Sequence, residues 1–423
     1  MRPPRVLYIS GAIGLGHVHR DIAIARALRQ EVPGVAIAWL AGDAARDVLA
    51  EAGEPLLPEA ARFTTGMAAM EIASDGFVLN LANPRRTLLS LAALLQLFAF
   101  RRDVALNLHI VEAVTRGGAF DLIVGDETFE LAFTFARTPR LKAAPFALIT
   151  DFIGVEAMTR GWLERLVVRV ANRGWTALLT SPHSPADRLL FIGEPEDVPD
   201  VPLAPGQPSR RELAYDVVDF LGYALPFEAA AYADRPSLRA RLGYGSEPLV
   251  VCTVGGTTVG APLLQLCADA APLVRQRLPG ARFVLVCGPR LNTAIRAPAG
   301  VEVRGYVPHL HEHLAACDLA VVQGGGTTTL ELTALRRPFL YFPLEEHFEQ
   351  QLHVAERLRR HGAGVKMQFG ETSAETLAGA ICAHIGTAVR FPPIAADGAE
   401  RAAAVLAGML EKRVREPVVG TGR

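Results

Sequence analysis

The chain carries almost no net charge: 43 lysines and arginines face 44 aspartates and glutamates, which leaves −1 over 423 residues. A protein that grips nucleic acid through its phosphates shows a broad basic field, and none is present here. Cysteine is scarce, with five residues at 252, 267, 287, 317 and 382 and no CxxC pair. Buried free thiols in a reducing cytosol are the expectation. No apolar run reaches the roughly 20 residues that span a bilayer. The opening Met1-Arg2-Pro3-Pro4-Arg5 runs straight into Val6-Leu7-Tyr8-Ile9, an apolar stretch soon broken by glycines and a histidine, and makes a poor signal peptide. The P-loop motif with its lysine is missing, which argues against a P-loop kinase or ATPase. So is a metal-binding Asp-x-Asp, and no histidine cluster has convincing metal-ligand spacing.

Glycine is present, and it is concentrated. One loop, Gly11-Ala12-Ile13-Gly14-Leu15-Gly16-His17, follows the first apolar run. A second, Gly255-Gly256-Thr257-Thr258, opens what reads as a second domain, and a third, Gly324-Gly325-Gly326-Thr327-Thr328-Thr329, leads into a helix. Strand-like runs at Val6–Ser10, Val35–Leu40, Phe120–Val124, Phe146–Thr150, Thr176–Thr180 and Val217–Tyr223 alternate with helical stretches. The same alternation restarts at Leu249. Strands alternating with helices form mostly parallel sheets covered on both faces, which bind ligands at the carboxyl ends of the strands. The reading is α/β with two Rossmann-like domains. Residues 1–225 form the first, 226–246 a linker, 247–390 the second, and 391–423 a final helix. Residues 88–100 read LLSLAALLQLFAF between arginine pairs. That stretch is either a buried helix with charged ends or a helix that touches a membrane surface or a greasy acceptor.

His17 is the leading candidate for chemistry. It follows the last glycine of its loop, where an imidazole can take a proton from a hydroxyl near neutral pH. Asp126 and Asp151 end strands and could orient it. Gly14 and Gly16 let the backbone approach an anion at a helix N-terminus, and Arg20 either neutralises phosphate or sits on the surface. Gly256, Thr257 and Thr258 offer a second set of donors for a diphosphate. Gly325, Gly326, Thr327 and Thr328 offer a third, and Glu331, expected in the first helical turn, suits the two hydroxyls of a ribose. Glu345, Glu346, His347, Glu349 and Gln350 crowd one loop, where acid and amide groups suit vicinal sugar hydroxyls. His309, His311 and His313 alternate on a helix and read as surface.

Together these motifs resemble the two-domain nucleotide-sugar glycosyltransferases of GT-B type. The bacterial branch with the peptidoglycan N-acetylglucosaminyltransferase MurG and the diacylglycerol glucosyltransferases is the most similar. The glycine loop with His17 and Arg20 matches G-x-G-H-x-x-R. Val303-Arg304-Gly305-Tyr306-Val307 looks like the segment that frames the nucleotide base, so the resemblance implies base contacts for Tyr306 and Val307. It also implies the diphosphate loop at Gly324–Thr328, the ribose carboxylate at Glu331 and a sugar-contacting pair at Glu349-Gln350. The chain departs from relatives in two places: Gln323 stands where many carry histidine, and Gln350-Gln351-Leu352-His353-Val354 replaces Gln-x-x-Asn-Ala.

The resemblance implies two domains facing across a cleft, with the final helix packed back on the first. It implies inverting transfer from a nucleotide-diphosphate sugar (UDP, or dTDP) to a hydroxyl of a hydrophobic or lipid-linked acceptor. His17 is then the base, and no metal or other cofactor is needed. The expected protein is cytoplasmic, a monomer or homodimer, with membrane contact through residues 85–102 at the inner face. A nucleotide-sugar hydrolase or epimerase on the same fold, a nucleotide-binding protein without turnover, and an NAD-dependent oxidoreductase are the alternatives.

Overall fold

The computed structural model describes residues 2–11, 15–64, 91–158, 160–255, 260–288, 291, 294–345 and 347–415. Gly14, Gly256, Thr257, Thr258, Glu346 and residues 85–90 of the arginine-flanked segment lie outside the described residues. The chain divides into two compact units, Met1–Pro226 with Ala396–Arg423, and Phe227–Ala395.

The first unit is built on β1 (Arg5–Ser10), β2 (Ala36–Ala41), β3 (Leu122–Asp126), β4 (Phe146–Thr150), β5 (Arg188–Phe191) and β6 (Val218–Phe220). They form one sheet in the order β2-β1-β3-β4-β5-β6, every neighbouring pair parallel. Residues of β1, β3 and β4 are almost all fully buried, which is why these strands read as continuous apolar runs rather than alternating ones. Helices α1 (Leu15–Glu31), α2 (Asp43–Glu51), α3 (Leu91–Thr115), α4 (Phe129–Arg137), α5 (Trp162–Thr180) and α6 (Arg210–Tyr215) connect them. Thr176–Thr180, expected as a strand, is the last turn of α5. Its β-branched ends are overridden because Trp175, Leu178 and Leu179 are buried on the helix's inner face. The strand that does follow, β5, is too short to stand out in sequence.

The second unit repeats the plan with β7 (Leu249–Thr253), β8 (Arg282–Val286), β9 (Val301–Arg304), β10 (Leu319–Gln323), β11 (Phe339–Phe342) and β12 (Val365–Lys366). Their order is β12-β11-β10-β7-β8-β9, again parallel throughout. Its helices are α7 (Arg235–Arg241), α8 (Ala261–Arg277), α9 (Leu310–Ala316), α10 (Gly326–Ala334), α11 (Ala355–His361) and α12 (Ala374–His384). Residues 227–246 are not a free linker: Leu238 and Tyr244 are buried in this unit's core, with Phe227 and Tyr232 packed on it. His313 is not on the surface either. It is buried, and its Nδ1 lies 2.6 Å from the Tyr244 hydroxyl.

The last helix, α13 (Gly398–Arg415), belongs to the first unit. Ala399, Ala402, Ala403, Leu406, Ala407 and Leu410 share one core with Val18, Ile22, Ala25 and Leu28 of α1. The alanines let the helices approach closely. Gly398 has no room for a side chain, because a Cβ there would lie 2.7 Å from the Tyr223 carbonyl carbon. No helix of the described residues is long and apolar enough to cross a membrane.

Candidate active site

Strand order locates the candidate sites. In the first sheet the chain winds outward in both directions from β1 and β3, so a crevice opens at their carboxyl ends. His17 stands in the first turn of α1, which follows β1, β3 ends in Asp126, and Asp151 follows β4. Gly11 makes the approach feasible: a Cβ there would sit 2.6 Å from the Asp126 carbonyl oxygen.

His17, Arg20 and Asp21 share one face of α1 through their three- and four-residue spacing. His17 Nδ1 lies 3.0 Å from Asp126 Oδ2. Arg20 donates to Asp126 Oδ1 at 2.6 Å and to Asp151 Oδ2 at 2.8 Å. Burial alone would raise both carboxyls, but the Arg20 guanidinium and His17 hold Asp126 and Asp151 below the usual carboxylate range. A hydrogen bond from Glu127 also favours the Asp151 anion. His17 Nδ1 also lies 2.8 Å from Arg20 Nη2: an ionised Asp126 can only accept and favours the proton on Nδ1, whereas the guanidinium can only donate and favours the other tautomer. With the proton on Nδ1, Nε2 is the free base, 4.0 Å from Asp151 Oδ2. One guanidinium between two carboxylates leaves one negative charge beside the ring, which an imidazolium would balance.

Arg20 departs from expectation. It is buried, and both its terminal nitrogens are committed to carboxylates, so it positions the acidic pair instead of meeting phosphate. Two further residues escaped the sequence reading. Asp21 is fully buried, accepts from Tyr8 at 3.0 Å and Ser10 at 2.5 Å, and is raised well above the ordinary range by burial and by Asp126. These two bonds tie α1 to β1. Glu127 sits at φ 51°, in the left-handed region, which turns the chain sharply after Asp126. His17, Glu127 and Asp151 bring ligand atoms within 4.8 Å of one another, the spacing a cation needs. The Arg20 charge on Asp151 opposes one there.

In the second sheet the switch lies between β7 and β10. Because all strands are parallel, their carboxyl ends share one edge. Along it lie, in order, the loop after β11 (Pro343–Gln350), the glycine loop after β10, the loop after β7 and the loops after β8 and β9, the last with Tyr306 and Val307. Gly324 is wedged against Pro343, where a Cβ would be 2.8 Å from its Cα. Gly325 caps α10, so the first-turn N–H groups of Gly326, Thr327 and Thr328 have no acceptor within the helix. Such a terminus, with two threonine hydroxyls, suits an anion. Thr329 instead spends its hydroxyl on the Gly325 carbonyl at 2.8 Å.

Glu331 is the sixth residue of α10, beyond its first turn. Burial raises its carboxyl to about 8, and no hydrogen-bond partner for it occurs among the described residues. Glu349 reaches the same terminus: its Oε1 would be 3.3 Å from a Cβ on Gly326. Gln350 faces inward. It is buried, and its amide oxygen accepts from the Leu344 N–H at 2.9 Å, so it fixes the loop instead of presenting itself to a sugar. The π-helical turn Glu349–Val354 produces this inward rotation. Arg357, unforeseen in the sequence, donates to the Gly326 carbonyl at 2.8 Å and brings a cation to the loop.

Residues 250–386 match the family described as Glycosyltransferase family 28 C-terminal domain. A lipid-A-disaccharide synthase of Pseudomonas putida is 39% identical over 29% of this chain and 34% of its own length. An uncharacterised glycosyltransferase of Methanopyrus kandleri is 28% identical over 53% and 61%. The UDP-N-acetylglucosamine–N-acetylmuramyl-(pentapeptide) pyrophosphoryl-undecaprenol N-acetylglucosamine transferase of Carboxydothermus hydrogenoformans is 29% identical over 33% and 39%. The chain thus spans between about a third and three fifths of these relatives. The glycotransferase of kitacinnamycin superposes over 98% of this chain and 96% of its own, with TM-score 0.58 and 18% identity. The chain thus has the fold of GT-B glycosyltransferase structures, and residues 250–386 match the glycosyltransferase family 28 C-terminal domain.

Proposed function

We propose that this protein is a metal-independent, inverting glycosyltransferase that moves a sugar from a nucleoside-diphosphate donor to an acceptor hydroxyl. The second unit binds the donor. Its diphosphate lies on the N-terminus of α10 (Gly325, Gly326, Thr327, Thr328), its ribose on Glu331 and its base beside Tyr306 and Val307. Gly256, Thr257 and Thr258 add donors from the loop after β7, and Glu349 meets the sugar. His17 Nε2 takes the acceptor proton while the acceptor oxygen bonds to the anomeric carbon. The bond from that carbon to the diphosphate breaks, and its electron pair leaves on the diphosphate oxygen. The unpaired first-turn N–H groups of α10 would stabilise it without reorganisation. Asp126 and Asp151 hold and balance the imidazolium.

The observation that carries this reading is the 3.0 Å contact of His17 Nδ1 with Asp126, whose anionic form favours the tautomer that leaves Nε2 as the base. UDP is the favoured nucleotide, since the Carboxydothermus relative is named for a UDP-sugar. That relative's polyprenol-linked acceptor also supports a lipid-linked or hydrophobic acceptor. A cytoplasmic protein that meets the inner membrane face, through residues 85–102 among others, would fit such an acceptor.

The test is a panel of UDP- and dTDP-sugars with purified protein, scored for free nucleotide and free sugar beside His17→Ala. Transfer predicts nucleoside diphosphate released only with lipid extract, little free sugar, and loss in the variant. Stoichiometric free sugar without an acceptor would replace this reading with the hydrolase. Thermal protection by a nucleotide with no turnover would leave a binding protein.

A further inference from the structure

Helix α5 presents an unusual outer face. Trp162, Leu166, Val167 and Val170 are 65%, 44%, 43% and 58% exposed. At 100° per residue they cover one continuous arc of about 140°. The inner arc is separately apolar and holds the buried Trp175, Leu178 and Leu179. Core packing therefore does not account for the outer residues. Phe133 of α4, 39% exposed, widens the patch: its ring lies over Gly174, where a Cβ would come within 2.8 Å. A contiguous exposed apolar patch of this kind marks a contact surface.

Charge identifies the occupant. Arg165, Arg169 and Arg173 recur every four residues along the flank of that arc, and Arg160 precedes it. All four are exposed, and none forms an ion pair among the described residues. Arg165 and Arg169 lie along the helix on the carbonyls of Arg160 and Arg165. The one acid on the helix, Glu164, is buried and accepts from the Met158 N–H at 2.7 Å. The outer face is therefore purely basic and apolar in a chain whose net charge is −1. A tryptophan at one end, aliphatic side chains below and arginines alongside match the depth profile of a bilayer with anionic headgroups.

We propose that the outer face of α5 docks on an anionic lipid surface, with Trp162, Leu166 and Val170 entering the headgroup boundary and the arginines pairing with lipid phosphates. This contact differs from residues 85–102 and does not depend on the transferase reading, because binding is read without turnover.

The experiment is flotation of the full chain with vesicles of phosphatidylcholine alone or with phosphatidylglycerol added. Tryptophan emission is followed in parallel, since Trp162 is the exposed member of three tryptophans and Trp39 and Trp175 are buried. Binding only to the anionic vesicles, a blue shift and release by salt are expected. Arg165→Ala with Arg169→Ala should weaken partition by about 30-fold, at about fivefold per arginine. Trp162→Ser with Val170→Ser should abolish the blue shift. Equal partition onto neutral vesicles, or no binding, overturns the proposal. So does self-association that Trp162→Ser removes while vesicle binding is absent. The salt and lipid dependences of the unsubstituted protein decide the matter even if a variant folds poorly.

Discussion

Glutamine in place of Glu331 should stabilise the second unit, and the gain should grow with pH. The carboxyl is lifted from its ordinary 4.5 to about 8 by burial. Between those values the folded protein holds a proton that the unfolded chain has released. Stability therefore falls as pH rises through this window, by up to about 1.4 kcal/mol per unit, and levels off above 8. The full penalty approaches about 5 kcal/mol, a ceiling because the residue keeps some exposure to water. Glu331→Gln has no such penalty. Urea unfolding of both proteins between pH 5 and pH 9, followed by a probe in the second unit, should show the difference widening toward alkaline pH. A difference that stays constant across that range would refute the argument. Ligand binding supplies a second readout. Two ribose hydroxyls donating to the carboxylate favour its charged form, so nucleotide binding should release a proton below pH 8. Calorimetry in two buffers of unlike ionisation enthalpy counts that proton, and Glu331→Gln should remove it.

Asp126→Asn should preserve the fold but remove the anion that favours the proton on His17 Nδ1, lowering kcat by about three orders of magnitude with KM little changed, as measured by steady-state kinetics. Gly11→Ala forces a methyl into 2.6 Å of the Asp126 carbonyl oxygen and should cost about 1–3 kcal/mol in chemical denaturation while displacing His17. Leu406→Ala, in the fully buried seam between α13 and α1, should cost about 2–5 kcal/mol in the first unit's unfolding transition and leave the second unit's unchanged.

Much of this architecture was readable because parallel sheets write themselves plainly. Buried strands such as Leu122–Asp126 and Phe146–Thr150 are apolar runs that end at a polar residue, so Asp126 and Asp151 announced their place at one edge. The Gly324–Thr328 loop was equally plain. What the sequence concealed was side-chain direction. Arg20 looks the same whether it faces a phosphate or two carboxylates, and only the closeness of β3 and β4 decides. Gln350 turned inward because a π-turn shifts the helical phase, which no local pattern signals. His313 is buried through a partner 69 residues away, the Tyr244 hydroxyl. Asp21 and Glu127 were overlooked because an ordinary helix acid and a strand-end neighbour carry no motif.

The first unit is interrupted in sequence: its chain leaves at Pro226 and returns at Ala396. On the ribosome, the second unit emerges whole and can fold while the seam on α1 is still bare. The apolar face that receives Leu406 and Leu410 must wait until the residues beyond Ala396 have been made. Synthesis therefore completes the second unit before the first, although most of the first precedes it in sequence. A premature stop shortly before residue 396 would yield a sound second unit joined to a neighbour with its core open.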